Sequence, residues 1–304
     1  MRFLHVGDLH FWRVPLNPLA YMGKRLLGVG NLIVGGRAKK FRQEMAPLLA
    51  ARLAEVPADG LLLTGDFSST GIASEFAAAN AALAPALAGR EGRVFAVPGN
   101  HDCYLTSQVD GRTFGLVIGK ISRAECGIAL CELEPGVFML SMNATTPNGI
   151  GSHGAITEER LASVVELLAA SRASIQRLVV LCHFPPEDPP GVLPHDRGPQ
   201  LLGSGALLSV LGDLAIPILW LHGHHHYRWI YGSPTVPTLT YLNGGAPFLR
   251  RGGAAPDMGY HVIDFAGSPW SIETHRFDHA AKGWQHKPVK LPAMAEYINL
   301  QQWS

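Results

Sequence analysis

Short apolar runs that break off and continue into Asp, Asn or His recur along the chain as far as residue 226. Arg2 to Val6 stops at Gly7, with Asp8 and His10 just beyond. Leu61 to Thr64 leads to Gly65-Asp66, and Val94 to Val97 leads through Pro98 to Gly99-Asn100-His101-Asp102. Leu178 to Cys182 ends on His183, and Ile216 to Leu221 runs into His222-Gly223-His224-His225-His226. Apolar runs of this length, bounded by turn formers, read as buried strands. Five strands that end in such side chains place them outside the carboxyl ends of strands, where α/β folds carry their chemistry.

The stretches between them carry helical spacing. Asn17 to Phe41 repeats Leu19, Met22, Leu26, Val29 and Ile33 at three- and four-residue intervals, edged by Lys24, Arg25, Arg37, Lys39, Lys40 and Arg42. This amphipathic, basic segment is expected to pack on the body, because Gly23, Gly28, Gly30, Gly35 and Gly36 weaken it as an isolated helix. The alternatives are a lid or a peripheral membrane contact through 17–41. Further helices are expected from Phe41 to Val56, kinked or restarted at Pro47, from Glu75 to Ala88 behind a Ser74 cap, from Thr157 to Ala170, and from Gly198 to Leu211. Val137 to Met142 is a further strand reaching Asn143, and Phe184 to Pro199, with six prolines, is a restricted loop and a candidate wall for whatever His183 contacts. Gly115 to Gly136 has no clear pattern. From Tyr227 to Phe277, β-rich runs alternate with Gly/Pro turns, as expected for antiparallel strands completing a second sheet. The layout is α/β, with one domain over residues 1–278 and a tail, 279–304, of no clear type.

Composition narrows this picture modestly. In 304 residues, 25 Lys and Arg face 24 Asp and Glu, a formal charge of +1, so the global balance argues against a nucleic-acid or polyanion partner. Four cysteines (Cys103, Cys126, Cys131 and Cys182) do not make a disulfide framework and fit a reduced, cytoplasmic protein with unpaired thiols. The first residues lack the pattern of a signal peptide, and Leu26 to Gly36 is far shorter than the roughly 20 residues that span a bilayer. Nothing in the sequence sets the oligomeric state.

The strand ends together supply Asp8, His10, Asp66, Asn100, His183, His224 and His226. Seven such groups can hold two divalent metal ions if one carboxylate bridges them; carboxylate, carboxamide and imidazole without thiolate suit Mn²⁺ or Fe, with Zn²⁺ next. Two ions held a few ångströms apart activate a water and clamp phosphoryl oxygens, which is phosphoester hydrolysis. His101, beside a ligand but not needed as one, can protonate the leaving oxygen.

The ordered set Asp8-x-His10, Gly65-Asp66, Gly99-Asn100-His101-Asp102, His183 and Gly223-His224-x-His226 resembles the calcineurin-like metallophosphoesterase superfamily, with all five blocks in that family's order. The resemblance implies a four-layer α/β/β/α sandwich with two central mixed β-sheets. It also implies one ion on Asp8, His10, Asp66 and His226 and the other on Asp66, Asn100, His183 and His224, with Asp66 bridging. His101 becomes the acid and Asp102 its orienter; His225 is left as a turn residue and His222 as packing. A small-molecule phosphodiester is the expected substrate, since cyclic nucleotide phosphodiesterases of the superfamily are similar in size and in the His183-Phe184-Pro185-Pro186 stretch. The basic segment suits a lipid-linked pyrophosphate such as UDP-diacylglucosamine instead. A non-catalytic metal-binding scaffold is the alternative of another class; loss of ligands would mark it, and all seven are present.

Overall fold

The computed structural model of the chain describes residues 1–14, 30, 36–103, 112–118, 123–124, 127–146, 151–191 and 200–301. Its strands are β1 (Arg2–Val6), β2 (Gly60–Leu63), β3 (Val94–Ala96), β4 (Arg123–Ala124), β5 (Ile128–Glu134), β6 (Val137–Met142), β7 (Gly154–Ala155) and β8 (Arg177–Leu181). They continue with β9 (Leu201–Leu202), β10 (Ile218–His222), β11 (Arg228–Gly232), β12 (Leu239–Gly244), β13 (Gly259–Asp264), β14 (Ser271–Asp278), β15 (Gly283–Val289) and β16 (Tyr297–Asn299). The helices are α1 (Arg37–Lys40), α2 (Ala46–Glu55), α3 (Ala73–Leu87), α4 (Arg112–Val117), α5 (Glu158–Ser171) and α6 (Ser204–Gly212).

Two seven-stranded mixed sheets dominate, in the orders β15-β14-β13-β1-β2-β3-β4 and β16-β11-β12-β10-β8-β6-β5. Because successive side chains of a strand point to opposite faces, each central strand feeds two cores. Phe3 of β1 enters the layer between the sheets, with Leu62, Phe95, Val179, Leu181, Leu219 and Ile263. Leu4 and Val6 face out onto Leu49 and Leu53 of α2 and Phe76 and Leu83 of α3. On the second sheet Leu178 and Val180 face out with Trp220 and Tyr241, onto Val164 and Leu168 of α5 and Leu207 and Leu211 of α6. The result is α/β/β/α, as the resemblance implies. Strands buried on both faces read as continuous apolar runs, which is why the sequence shows them.

The order of the central strands positions the site. β1, β2 and β3 run parallel, and so do β10 and β8. Their carboxyl ends share one edge of the sandwich, and the loops past them continue the pairing: Asp8 N bonds Gly65 O at 3.1 Å, His10 N bonds Asp66 O at 2.8 Å and Phe11 N bonds Phe67 O at 2.9 Å.

Several sequence expectations need correction. The segment 279–304 forms β15 on the edge of the first sheet and β16 on the edge of the second, as far as residue 301. Of the β-rich region, β11 and β12 complete the second sheet while β13 and β14 return to flank β1 in the first. Ser74 is not a cap: α3 begins one residue earlier, behind Ile72, with no side-chain cap bond. Of the two readings of Pro47, the restart holds and the kink does not: a 3-10 turn over Gln43–Met45 gives way to α2, with Pro47 in its first turn, where its missing N–H costs nothing. Thr157 does cap α5, its hydroxyl accepting from Arg160 N at 3.3 Å. Cys103, Cys131 and Cys182 take part in no disulfide; Cys126 lies outside the described residues, as do most of the 17–41 segment and residues 192–199 of the proline loop.

Candidate metal centre

Each donor sits just past its strand. Asp8 and His10 follow β1, Asp66 follows β2, Asn100 follows β3, His183 follows β8, and His224 and His226 follow β10. Asp8 (φ +49°), His10 (φ +49°), Asp66 (φ +53°), His224 (φ +71°) and His226 (φ +65°) all adopt the left-handed backbone conformation. For residues other than glycine this costs on the order of 1–3 kcal/mol each, and it concentrates at functional sites. The strain turns consecutive side chains towards one point.

The first group closes tightly. One ligand atom from each of Asp8, His10, Asp66 and His226 lies within 4.8 Å of all the others. His10 Nε2 faces His226 Nε2 at 2.9 Å and Asp66 Oδ2 at 3.4 Å, and His226 Nε2 is 4.0 Å from Asp8 Oδ1. Gly223 keeps this approach open: a Cβ there would stand 2.7 Å from Asp8 Oδ2, and the backbone N of His224 donates to Asp8 Oδ1 at 3.0 Å.

The second group converges on the Asn100 amide oxygen, which is 3.1 Å from His183 Nε2 and 3.0 Å from His224 Nδ1. His183 Nε2 also lies 3.5 Å from Asp66 Oδ2. The far nitrogens are held: His183 Nδ1 to Thr64 O at 2.7 Å and His224 Nε2 to Gln200 Oε1 at 2.7 Å. Partners of this kind fix the tautomer and aim the other nitrogen inward. Burial lowers His183 to about 4, and burial together with neighbouring imidazoles lowers His224 well below the usual histidine range. Both are neutral at pH 7, the form that binds metal. Two carboxylates, one carboxamide and four imidazoles fit a pair of divalent ions, and the structure brings all seven expected donors into one cluster.

His101 is partly exposed. Its Nδ1 lies 2.9 Å from the Ser69 carbonyl, and its ring packs edge-on at 4.9 Å from the His10 ring. Asp102 does not orient this ring, contrary to expectation. Its buried carboxylate accepts from Gly99 N at 3.0 Å, Phe67 N at 3.2 Å, Ser68 N at 2.9 Å and Ser68 Oγ at 2.9 Å, tying the loop after β3 to the loop after β2. Burial first, and then the neighbouring Asp66 charge, push Asp102 up to about 7 against the pull of these donors. His222 is buried against Asn243 as packing, and His225 reaches Asp188 with 3.1 Å between Nε2 and Oδ1.

Sequence reasoning missed Gln200, Phe41 and the two backbone acceptors, Thr64 and Ser69. The Phe41 ring lies tilted at 4.5 Å from His10 and edge-on at 5.9 Å from His226, walling the first group. Backbone acceptors have no residue signature. Gln200 is 24 residues from its histidine in sequence, and nothing in the chain marks it.

Among the described residues no helix is long and apolar enough to cross a membrane. No curated protein matches the chain in sequence. Solved structures show the fold: a dimetal phosphatase from Danio rerio is 13% identical with a TM-score of 0.57, covering 90% of this chain and 94% of that one. The GAP50 anchor in the inner membrane complex of Plasmodium is 12% identical with a TM-score of 0.51, covering 96% and 90%. An enzyme and an anchor thus share the architecture, and fold likeness does not separate catalysis from scaffolding. The model of the calcineurin-like phosphoesterases matches residues 1–228, three quarters of the chain and all seven donors; the chain belongs to that family.

Proposed function

We propose that the protein is a metal-dependent hydrolase of small-molecule phosphodiesters. The observation that carries this reading is the shared position of Asp66 Oδ2, 3.4 Å from His10 Nε2 and 3.5 Å from His183 Nε2, which lets one carboxylate serve both donor groups. Asp8, His10, Asp66 and His226 would hold one ion, and Asp66, Asn100, His183 and His224 the other. When bound, the pair supplies an activated water and neutralises charge on the phosphoryl oxygens.

The chain's own residues do the rest. Neutral, buried imidazoles and the Thr64 and Gln200 acceptors keep the donors aimed. His101 protonates the leaving oxygen through Nε2, its ring fixed by the Nδ1 bond to Ser69 O. Asp102 acts one step back, holding the Asn100 and Asp66 loops together, and is a positioning residue.

The test is turnover of bis(p-nitrophenyl) phosphate with Mn²⁺, in wild type, Asp66→Ala and His101→Ala. Wild type is expected to be active only with metal and Asp66→Ala to be inactive. His101→Ala should keep two metals by elemental analysis and lose far more activity on an alkyl ester, whose leaving group needs a proton, than on the p-nitrophenyl ester. Absence of metal-dependent turnover in wild type would favour the scaffold reading, and full activity in Asp66→Ala would overturn the shared role of Asp66 on which the hydrolase reading rests.

A further inference from the structure

The segment that carries the last two donors also builds a rigid cationic post. Tyr227 stacks on Trp229 with ring centroids 5.2 Å apart and planes 15° apart. The Arg251 guanidinium lies over the Tyr227 ring, 3.9 Å from its centroid, and its Nη2 donates to the His226 carbonyl at 2.8 Å. Arg251 is thereby fixed to the backbone of a metal-binding residue. Asp8 and Asp257 attract it without touching it, and among the described residues it forms no ion pair. A half-buried guanidinium has five N–H donors, and leaving them without an anion is costly.

Arg251 also lines a cavity of about 470 Å³ whose other walls include Leu249, Pro256, Asp257, Phe277 and Asp278. Both carboxylates are already engaged. Asp257 is clamped by Arg228 and accepts from Gln301 Nε2 at 2.7 Å, and Asp278 accepts from Ala280 N at 2.9 Å, Ala281 N at 3.0 Å and Gln285 Nε2 at 2.8 Å. Of the two arginines in the cavity wall, Arg276 donates to Gln301 O at 3.2 Å, while Arg251 is the one joined to the donor cluster through the His226 carbonyl; the cavity's volume suits a nucleoside-sized group.

We infer that Arg251 seats a second phosphate of the substrate, so that the best substrates are organic diphosphates. The reacting phosphate lies at the seven donors, its neighbour on Arg251, and the organic substituent in the cavity. This rests on the metal-dependent hydrolase reading above and moves the bond broken from a phosphate ester to the phosphoanhydride between two phosphates. Guanidinium meets phosphate oxygens through two parallel N–H bonds, and the Tyr227–Trp229 stack holds it in place before substrate arrives. In the reaction the oxygen of water bonds to the reacting phosphorus. The bridging P–O bond breaks with its electron pair staying on the leaving phosphate, and the protons of water pass to the products and solvent. Two monophosphates result.

The experiment compares kcat/KM for P1,P2-di(adenosine-5′) diphosphate and for bis(p-nitrophenyl) phosphate, in wild type, Arg251→Ala and Arg251→Lys with Mn²⁺. Wild type is expected to prefer the diphosphate. Arg251→Ala should lose roughly ten- to hundred-fold more on the diphosphate than on the single-phosphate ester, chiefly through KM, the size expected for a charge-assisted pair. Arg251→Lys, which keeps the charge but not the fork, should recover part of that loss, and elemental analysis should find two metals in all three proteins. Equal losses on both substrates, or no loss in an Arg251→Ala protein that melts at the wild-type temperature, would overturn the inference while leaving the parent reading intact. No turnover of either substrate by wild type would instead sink the parent reading.

Discussion

The two halves of the donor cluster are held by different means. In the first, Asp8, His10, Asp66 and His226 are all aimed by left-handed backbone corners, and His226 remains 24% exposed beside the Phe41 ring. In the second, Asn100 and His183 have no such corner, and His224 alone joins the bridging Asp66 in having one; His183 is fully buried, and each histidine is braced at its far nitrogen by a protein oxygen. In the first half every donor stands on a left-handed main-chain corner; in the second only Asp66 and His224 do, and oxygen acceptors brace both histidines. Asp66 belongs to both. The difference teaches that substitution of a bracing residue should separate the halves, whereas substitution of a shared residue should not.

The largest effect should come from Asp66→Ala. Removing the common carboxylate is expected to bring metal content from two ions towards none by elemental analysis, and to cost at least about a thousand-fold in turnover, or ~4 kcal/mol of transition-state stabilisation. Retention of one tightly held ion would mean the halves are independent. Next is Asp102→Ala, which strands the buried N–H groups of Gly99, Phe67 and Ser68. At about 1–3 kcal/mol for each unsatisfied donor, a loss of ~3 kcal/mol in urea unfolding is expected, and loosening of both halves together; an unchanged midpoint would contradict it.

Gln200→Ala should act on one half alone. The ion on the second group is expected to weaken ten- to hundred-fold, the usual size for an outer partner of a metal-binding histidine, with the first-group ion unchanged by calorimetry. Equal weakening of both would erase the distinction.

The smallest and most gradual effect is with pH. In the metal-free protein burial is the leading cause that lowers His5 to about 3, His183 and His275 to about 4, and His222, His224 and His261 well below the usual value. Unfolded histidines take up protons already near pH 6.5, so the unfolded state binds more protons below that pH and stability falls as pH drops from 6.5 towards 4. Asp102 and Glu75, both raised, run the other way, since the folded state keeps a proton that the unfolded chain releases. Six groups against two set the sign. The urea midpoint should be lower at pH 5 than at pH 7, and a flat or inverted profile would show that the histidines do not dominate.

The central strands were legible because they are buried on both faces, and the donors because each follows such a run. What escaped was either non-local or edge-like. Asp102 stands next to His101 in sequence, yet its side chain turns back beneath the loop to collect backbone donors 34 and 35 residues away. β15, half exposed and carrying Pro288, has the pattern of an edge strand rather than a core one, so no apolar alternation announced it. Ser74 looked like a cap because Ser favours that position, but the chain had already entered the helix. Arg251 and Gln200 lie in stretches without periodicity, and only the fold brings them to the site.

The C-terminal strands set the order in which the enzyme can come into being. A nascent chain that has just delivered residue 228 carries every donor, yet β13 has not paired with β1 and β12 has not paired with β10. Both central strands then present open edges, the template on which chains join one another. Closure spans more than 200 residues between Asp8 and His224, a separation that slows folding. Synthesis of residues 229–301 therefore completes the protection of a site to which they contribute none of the seven donors.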